Sequence, residues 1–167
     1  MPFRFPTLQA RPMTGALMAA AIVCSPSFAA EVGPFAGLGG AWSGSGVISS
    51  SDGRSERVRC HGQYSVSDGG SSLNLRLSCA SDSYHFDANS GVMLGSAGEI
   101  TGNWSESGTN ASGAVNARAT KGLIVAKIAG PGFTADMRIA TTGAHQRVQI
   151  TPSGTAIKSV SVDMRHA

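Results

Sequence analysis

Beyond residue 30 the sequence predicts an all-β domain, a small antiparallel up-and-down β-barrel of about eight to ten strands. Three observations predict it. Apolar residues alternate with polar ones at a period of two, clusters of Gly, Pro, Ser and Asp interrupt the alternation at short intervals, and two cysteines fall opposite each other in one hairpin.

The hairpin is the clearest element. Val58 to Val66 and Ser72 to Cys79 flank Ser67-Asp68-Gly69-Gly70-Ser71. Gly69 and Gly70 tolerate the positive φ angles of a tight turn, so the hairpin centres there. Val66 then faces Leu73, Tyr64 faces Leu75, Gly62 faces Leu77 and Cys60 faces Cys79. Directly opposed residues approach to about 4.5 Å at Cα, close enough for a disulfide. The register that pairs the apolar residues also pairs the sulfurs.

The alternation continues on both sides. Trp42, Gly44 and Gly46 mark a first strand, ended by Ser50-Ser51-Asp52-Gly53. Tyr84 and Phe86 alternate with His85 and Asp87, and Ile100, Gly102 and Trp104 with Thr101, Asn103 and Ser105. Ile124, Ala126 and Ile128 form a later row. After Pro131-Gly132 come Phe133, Ala135, Met137 and Ile139, then Val148 and Ile150, then Val160, Val162 and Met164 alternating with Ser161, Asp163 and Arg165. Such one-sided strands close as a barrel or stack as a two-sheet sandwich. The immunoglobulin sandwich places its cysteines far apart with a tryptophan between them, unlike this hairpin. Glycines at the inward positions 44, 46, 62 and 102 suit strands that coil sharply, so a barrel is expected and a sandwich is the alternative.

The first 29 residues have a different character. Arg4 and Arg11 precede an apolar run from Met13 to Val23, followed by Pro26 and the small residues Ser27 and Ala29. This is the pattern of a cleavable secretory signal, with the cut expected after Ala29. The run falls short of the ~20 residues that cross a bilayer, and Val23 before Cys24 fits a lipobox poorly. The expected organisation is therefore a signal peptide at 1–29, an N-terminal linker at 30–39 and one barrel domain at 40–167. No transmembrane segment is expected in the mature chain. An outer-membrane barrel would need an apolar outer face with aromatic girdles, and here one face carries Arg, Ser, Asn and Asp.

The chain has 13 Lys and Arg against 10 Asp and Glu. Arg4 and Arg11 leave with the signal, so 11 basic residues then face the same 10 acids. A nearly neutral domain has no field to draw it onto nucleic acid. Cys24 leaves as well, and Cys60 and Cys79 remain as a pair suited to the periplasm or the exterior.

Chemistry is sparse. No G-x-S-x-G elbow, Walker loop or dinucleotide-binding loop occurs. His61, His85, His145 and His166 lack metal-ligand spacing, and both mature cysteines are engaged. No metal, no cofactor and no enzymatic activity are expected. Trp42, Tyr64, Tyr84, Phe86, Trp104 and Phe133 are candidates to line a cavity for a small apolar or amphipathic ligand, or else to fill the core. Arg57, Arg59 and His61 alternate outward on one strand with Arg76 beside them. They form a candidate patch for an anion or an acidic envelope partner, or a solvated face. The protein is expected to work as a monomer. A pattern G-x-W-S-x-S-G occurs at 40–46 and again at 102–108, the one hint of an internal duplication.

Gly40-Ala41-Trp42 on the first strand, with Arg165 late in the chain, resembles the calycin superfamily of lipocalins and avidins. In those families a G-x-W tryptophan closes one end of the barrel and a basic residue packs across it. The resemblance implies Trp42 and Arg165 as the closing pair. The chain lacks the C-terminal helix pattern of lipocalins and the biotin-contacting residues of avidins. As a whole it also resembles small secreted proteins of unknown function from rhizobia-like alphaproteobacteria, which implies an envelope address. The expected role is a non-enzymatic exported barrel that binds a small ligand, or alternatively a protein-interaction or inhibitor module.

Overall fold

The computed structural model describes residues 32–167. The signal segment expected at 1–29 lies outside the described residues. Ten strands follow one another: β1 (Gly40–Ser50), β2 (Ser55–Ser67), β3 (Ser72–Ala80), β4 (His85–Leu94), β5 (Glu99–Glu106), β6 (Ala111–Thr120), β7 (Leu123–Gly130), β8 (Phe133–Thr142), β9 (His145–Ser153) and β10 (Ile157–His166). Each pairs with its sequence neighbours, and β10 returns to pair antiparallel with β1. The result is a closed up-and-down barrel, in which no edge strand is left unpaired.

The register of β2 and β3 follows the hydrophobic pattern, with Val66 opposite Leu73, Tyr64 opposite Leu75, Gly62 opposite Leu77 and Cys60 opposite Cys79. Cys60 and Cys79 are joined, their Cα atoms 4.1 Å apart. The connection takes up positive φ at Gly69 and Gly70, and at Asp68 as well. Because alternation has a strict period, one fixed pair on each strand determines which residues face inward. Following the pairings round the barrel puts Trp42, Tyr64, Leu77, Val92, Trp104, Val115, Ile128, Met137, Val148 and Met164 on the inner surface. The outer surface carries polar or charged residues on every strand, among them Ser45, Arg59, Arg76, Asn89, Asn103, Asn116, Lys127, Arg138, Gln149 and Asp163, all exposed.

Closure depends on close strand approach at inward glycines, three of them on β1 and β5. A Cβ at Gly44 would strike the Asp163 carbonyl, one at Gly46 the Ser161 carbonyl, and one at Gly102 the Gly91 carbonyl. Coiling of β1 and β5 against their neighbours at these points leaves no room for a side chain. Gly62 differs: its neighbour is the Tyr64 ring, 3.0 Å from where a Cβ would sit.

The segment expected to be a linker, 30–39, is instead part of the domain over its described residues. The Gly33 amide donates to the Gly69 carbonyl (2.9 Å) and the Phe35 amide to the Gly70 carbonyl (3.0 Å). These bonds lay the chain across one end of the barrel, where Phe35 and Leu38 are buried in the core with Trp42, Tyr64 and Ile100. The physical reason is simple: an open barrel end exposes apolar side chains, and two large hydrophobes cover it.

Candidate functional site

The six aromatic residues expected to line one cavity divide between the two ends of the barrel. Trp42 enters β1 at the plugged end, whereas Trp104 lies near the finish of β5, a strand that runs in the same direction. The two G-x-W-S-x-S-G segments thus sit at different depths in different surroundings, and the structure gives them no equivalence.

At the plugged end Trp42 and Tyr64 form a floor. Trp42 is 1% exposed, and its indole Nε1–H donates to the Leu38 carbonyl at 2.8 Å. The Tyr64 ring tilts against it with centroids 6.1 Å apart. Tyr64 donates its hydroxyl proton to Gln146 Oε1 at 2.8 Å, and Gln146 Nε2 reaches Thr141 Oγ1 at 3.3 Å. Burial pushes the Tyr64 phenol up to about 12, since the charged form loses its hydration. Gln146, 2% exposed, was not singled out in the sequence, although its alternation with Val148 and Ile150 turns it inward.

Arg165 does not close this end. It pairs with Ser43 on the outer surface and is exposed. The side chain that meets Trp42 is His166, with ring centroids 5.0 Å apart at 87°. Met164 points inward, so its neighbour Arg165 must point out and His166 back in. The closing pair is therefore Trp42 and His166.

The other end has no such plug among the described residues. Trp104 donates Nε1–H to the Ala129 carbonyl at 2.9 Å, and its ring lies over Gly113 and Gly130. Phe133 tilts against it with centroids 5.7 Å apart. Tyr84 precedes β4 and its hydroxyl meets Ser50 Oγ at 3.3 Å. Phe86 shares the inward register of Cys79 yet remains 39% exposed. Many inward side chains of β3, β4 and β7 to β9 stay half-buried, among them Leu77, Ala88, Ile128, Met137 and Ile150, while Leu73, Ala126, Ala135 and Gln146 on the same strands are buried. Those of β1, β2 and β10, such as Ile48, Val58, Val162 and Met164, are buried. Packing is tightest on β1, β2 and β10 and looser across β3, β4 and β7 to β9.

Glu106 organises the rim of that end. Its carboxylate accepts from the amides of Gly108 (2.7 Å) and Thr109 (2.7 Å) and from the Thr109 hydroxyl (2.6 Å). The Thr109 hydroxyl first, then the two amides, hold its pKa down at about 2.

On the outside, Arg57, Arg59, His61 and Arg76 are all exposed on the β2–β3 surface, with Arg76 opposite Gln63. A shallow depression of about 560 Å³ crosses β1 to β4, lined by His61, Gln63, Arg76, Ser78 and Asn89 of the outer face and also by Trp42, Gly62, Leu77 and Ala88 of the inward register. Arg57 and Arg59 lie outside it. A second groove of about 380 Å³ runs between Pro34–Leu38 and the turns at Gly122 and Gly143. Among the described residues no three His, Cys, Asp or Glu side chains gather so as to hold a metal ion.

No family model matches the chain, and no curated protein matches it either. Solved structures do. Rv2717c from M. tuberculosis is similar with a TM-score of 0.61 at 10% identity, over 79% of this chain and 94% of that one. The S-type phycobiliprotein lyase CPES from Guillardia theta is similar with a TM-score of 0.58 at 13% identity, over 79% of this chain and 89% of that one. At such identities the likeness concerns the fold, and it agrees with the calycin-like resemblance in its closed antiparallel barrel.

Proposed function

We propose that this protein is an exported, non-enzymatic β-barrel that holds a small apolar or amphipathic ligand in the looser half of its interior. The observation that carries the reading is the uneven filling of the inner wall. One end is sealed by Phe35, Leu38, Trp42 and Tyr64, while inward apolar side chains near Trp104 and Phe133 remain half-buried. A concave apolar surface with few polar groups is what small-molecule sites are made of. The phycobiliprotein lyase among the structural neighbours is compatible with such a use of the barrel. The Cys60–Cys79 bond supports an oxidising compartment, and the signal pattern at 1–29 supports export.

The test is titration of the protein with the uncharged fluorophore N-phenyl-1-naphthylamine, alongside an Ala88→Phe variant that fills the looser wall. Enhanced emission with the parent and a clear loss with the folded variant are expected. Equal emission with both would overturn interior binding.

A second reading has its own observation: a depression of about 560 Å³ lies across β1 to β4, beside His61 and Arg76. It makes the β1–β4 face a docking surface for an acidic envelope partner. Charge reversal at Arg57, Arg59 and Arg76 would abolish capture of that partner from periplasmic extract, and unchanged capture would reject the surface.

A further inference from the structure

The chemistry of the inner wall restricts what it can hold. Every Arg and Lys among the described residues is exposed. On the strands, Arg57, Arg59, Arg76, Arg118, Lys127, Arg138, Arg147 and Arg165 alternate with inward neighbours and so face out. Lys158 sits at the irregularity where β10 shifts register against β1. The strand arginines and lysines outside that irregularity therefore present no charge to the interior.

Most of the interior's own donors are already committed. Trp42 and Trp104 give their indole protons to backbone carbonyls, Tyr64 gives its proton to Gln146, and Ser90 donates to the Asn103 carbonyl. An entering carboxylate would find no strand Arg or Lys turned toward it and few free donors, chiefly the one hydroxyl proton left over by the Ser50–Tyr84 pair, which makes its desolvation costly.

The unplugged rim adds charge of the wrong sign for an anion. Glu56 and Glu106 share the inward register of their strands. Glu56 is held by the Ser81 hydroxyl (2.9 Å) and the Ser83 amide (3.0 Å). Asp82 sits in the adjacent turn, exposed. The rim's Arg54 is bound to Asp52, which leaves one exposed cation, Lys158 at the start of β10, against Glu56, Asp82 and Glu106.

We infer that the barrel selects ligands without a negative charge, favouring an uncharged or positively charged amphiphile over a fatty-acid-like anion of the same length. This rests on the interior-binding reading above and names its ligand class. The polar head would lie at the rim, beside Glu56, Asp82 and Glu106, with the chain running toward Trp42.

The experiment is displacement of N-phenyl-1-naphthylamine by dodecylamine, dodecanol and dodecanoate, each below its micelle concentration at neutral pH. Dodecylamine and dodecanol should displace the probe, with dodecanoate weaker by about tenfold or more. Asp82→Asn should narrow the gap between amine and carboxylate without changing dodecanol. Dodecanoate that binds as well as dodecanol would overturn the charge selection while leaving interior binding intact. Failure of the probe and of all three amphiphiles to bind would overturn interior binding itself, and the selection with it.

Discussion

The rings of Trp42 and His166 stand at right angles, centroids 5.0 Å apart, while His166 Nε2 hydrogen-bonds the Gly39 carbonyl at 2.8 Å. One side chain thus ties the last strand to the first and to the chain that crosses the barrel end. An aromatic pair and a partly exposed hydrogen bond together contribute about 1–2 kcal/mol. His166→Ala should lower the thermal midpoint by several degrees, and Arg165→Ala should leave it nearly unchanged. A larger loss from Arg165→Ala than from His166→Ala would contradict this assignment.

Phe35 is 1% exposed at the centre of the plug, held there by its own amide on the Gly70 carbonyl and by the Gly33 amide on the Gly69 carbonyl. Truncating a buried phenylalanine costs about 3–5 kcal/mol. Phe35→Ala should therefore destabilise like a core substitution and speed hydrogen exchange at Trp42 and Tyr64. A variant as stable as the parent, with exchange unchanged, would make the plug a loose tail.

The barrel was legible because alternation is local: each strand states its own inward face, and the hairpin of Cys60 and Cys79 sets register without tertiary information. Depth along the axis is not local. Trp42 and Trp104 looked alike in the sequence, and only the strand directions send one to the floor and the other toward the rim. Arg165 was misplaced because the calycin pattern asks for a basic residue and outweighed the alternation that turns Met164 and His166 inward. Phe35 and Leu38 escaped notice since a short stretch rich in Gly and Pro has no period to read. The half-buried inner wall depends on how ten strands share one circumference, which no single segment encodes.

Cys60 and Cys79 are 19 residues apart in the chain. Closing a loop of that length restricts the unfolded state by about 3 kcal/mol in the loop-entropy model. A Cys60→Ala/Cys79→Ala double variant, or the parent in dithiothreitol, should unfold at a clearly lower temperature. Urea titrations with and without reductant check the magnitude. Coincident transitions would mean that the bond does not constrain the chain.

Gly46 tests barrel closure. A Cβ there would meet the Ser161 carbonyl on β10, and backbone cannot yield as a flexible side chain does. Gly46→Ala should cost about 3 kcal/mol or more, or prevent soluble folding. Gly39→Ala serves as the contrast, because the nearest atom to a Cβ there is a Val66 methyl at 3.9 Å, an ordinary contact. Measured denaturation midpoints should rank the two variants in that order, and a neutral Gly46→Ala would show that β1 and β10 can separate without loss.

The acid and alkaline limbs of stability have identifiable owners. Glu106 titrates at about 2 when folded against an ordinary 4.5, because the Thr109 hydroxyl and the amides of Thr109 and Gly108 stabilise its anion. A depressed carboxyl pKa favours the folded state fully above about pH 4.5, and that contribution disappears as pH falls toward 2. Asp52, Glu56 and Asp87 are lowered too, and their loss runs in the same direction. Tyr64 behaves oppositely: its folded value near 12 exceeds the ordinary 10, so unfolded chains release the proton first and stability falls as pH rises from about 10 toward 12. Urea midpoints measured from pH 2 to 12 should thus decline at both extremes. Glu106→Gln should flatten the acid limb while weakening the protein at neutral pH, because the amide cannot hold all the turn's donors. Tyr64→Phe should remove part of the alkaline limb, at the expense of a buried Gln146 oxygen left unpaired. An acid limb unchanged in Glu106→Gln would assign that loss to other carboxylates and deprive the β5–β6 turn of its proposed anchor.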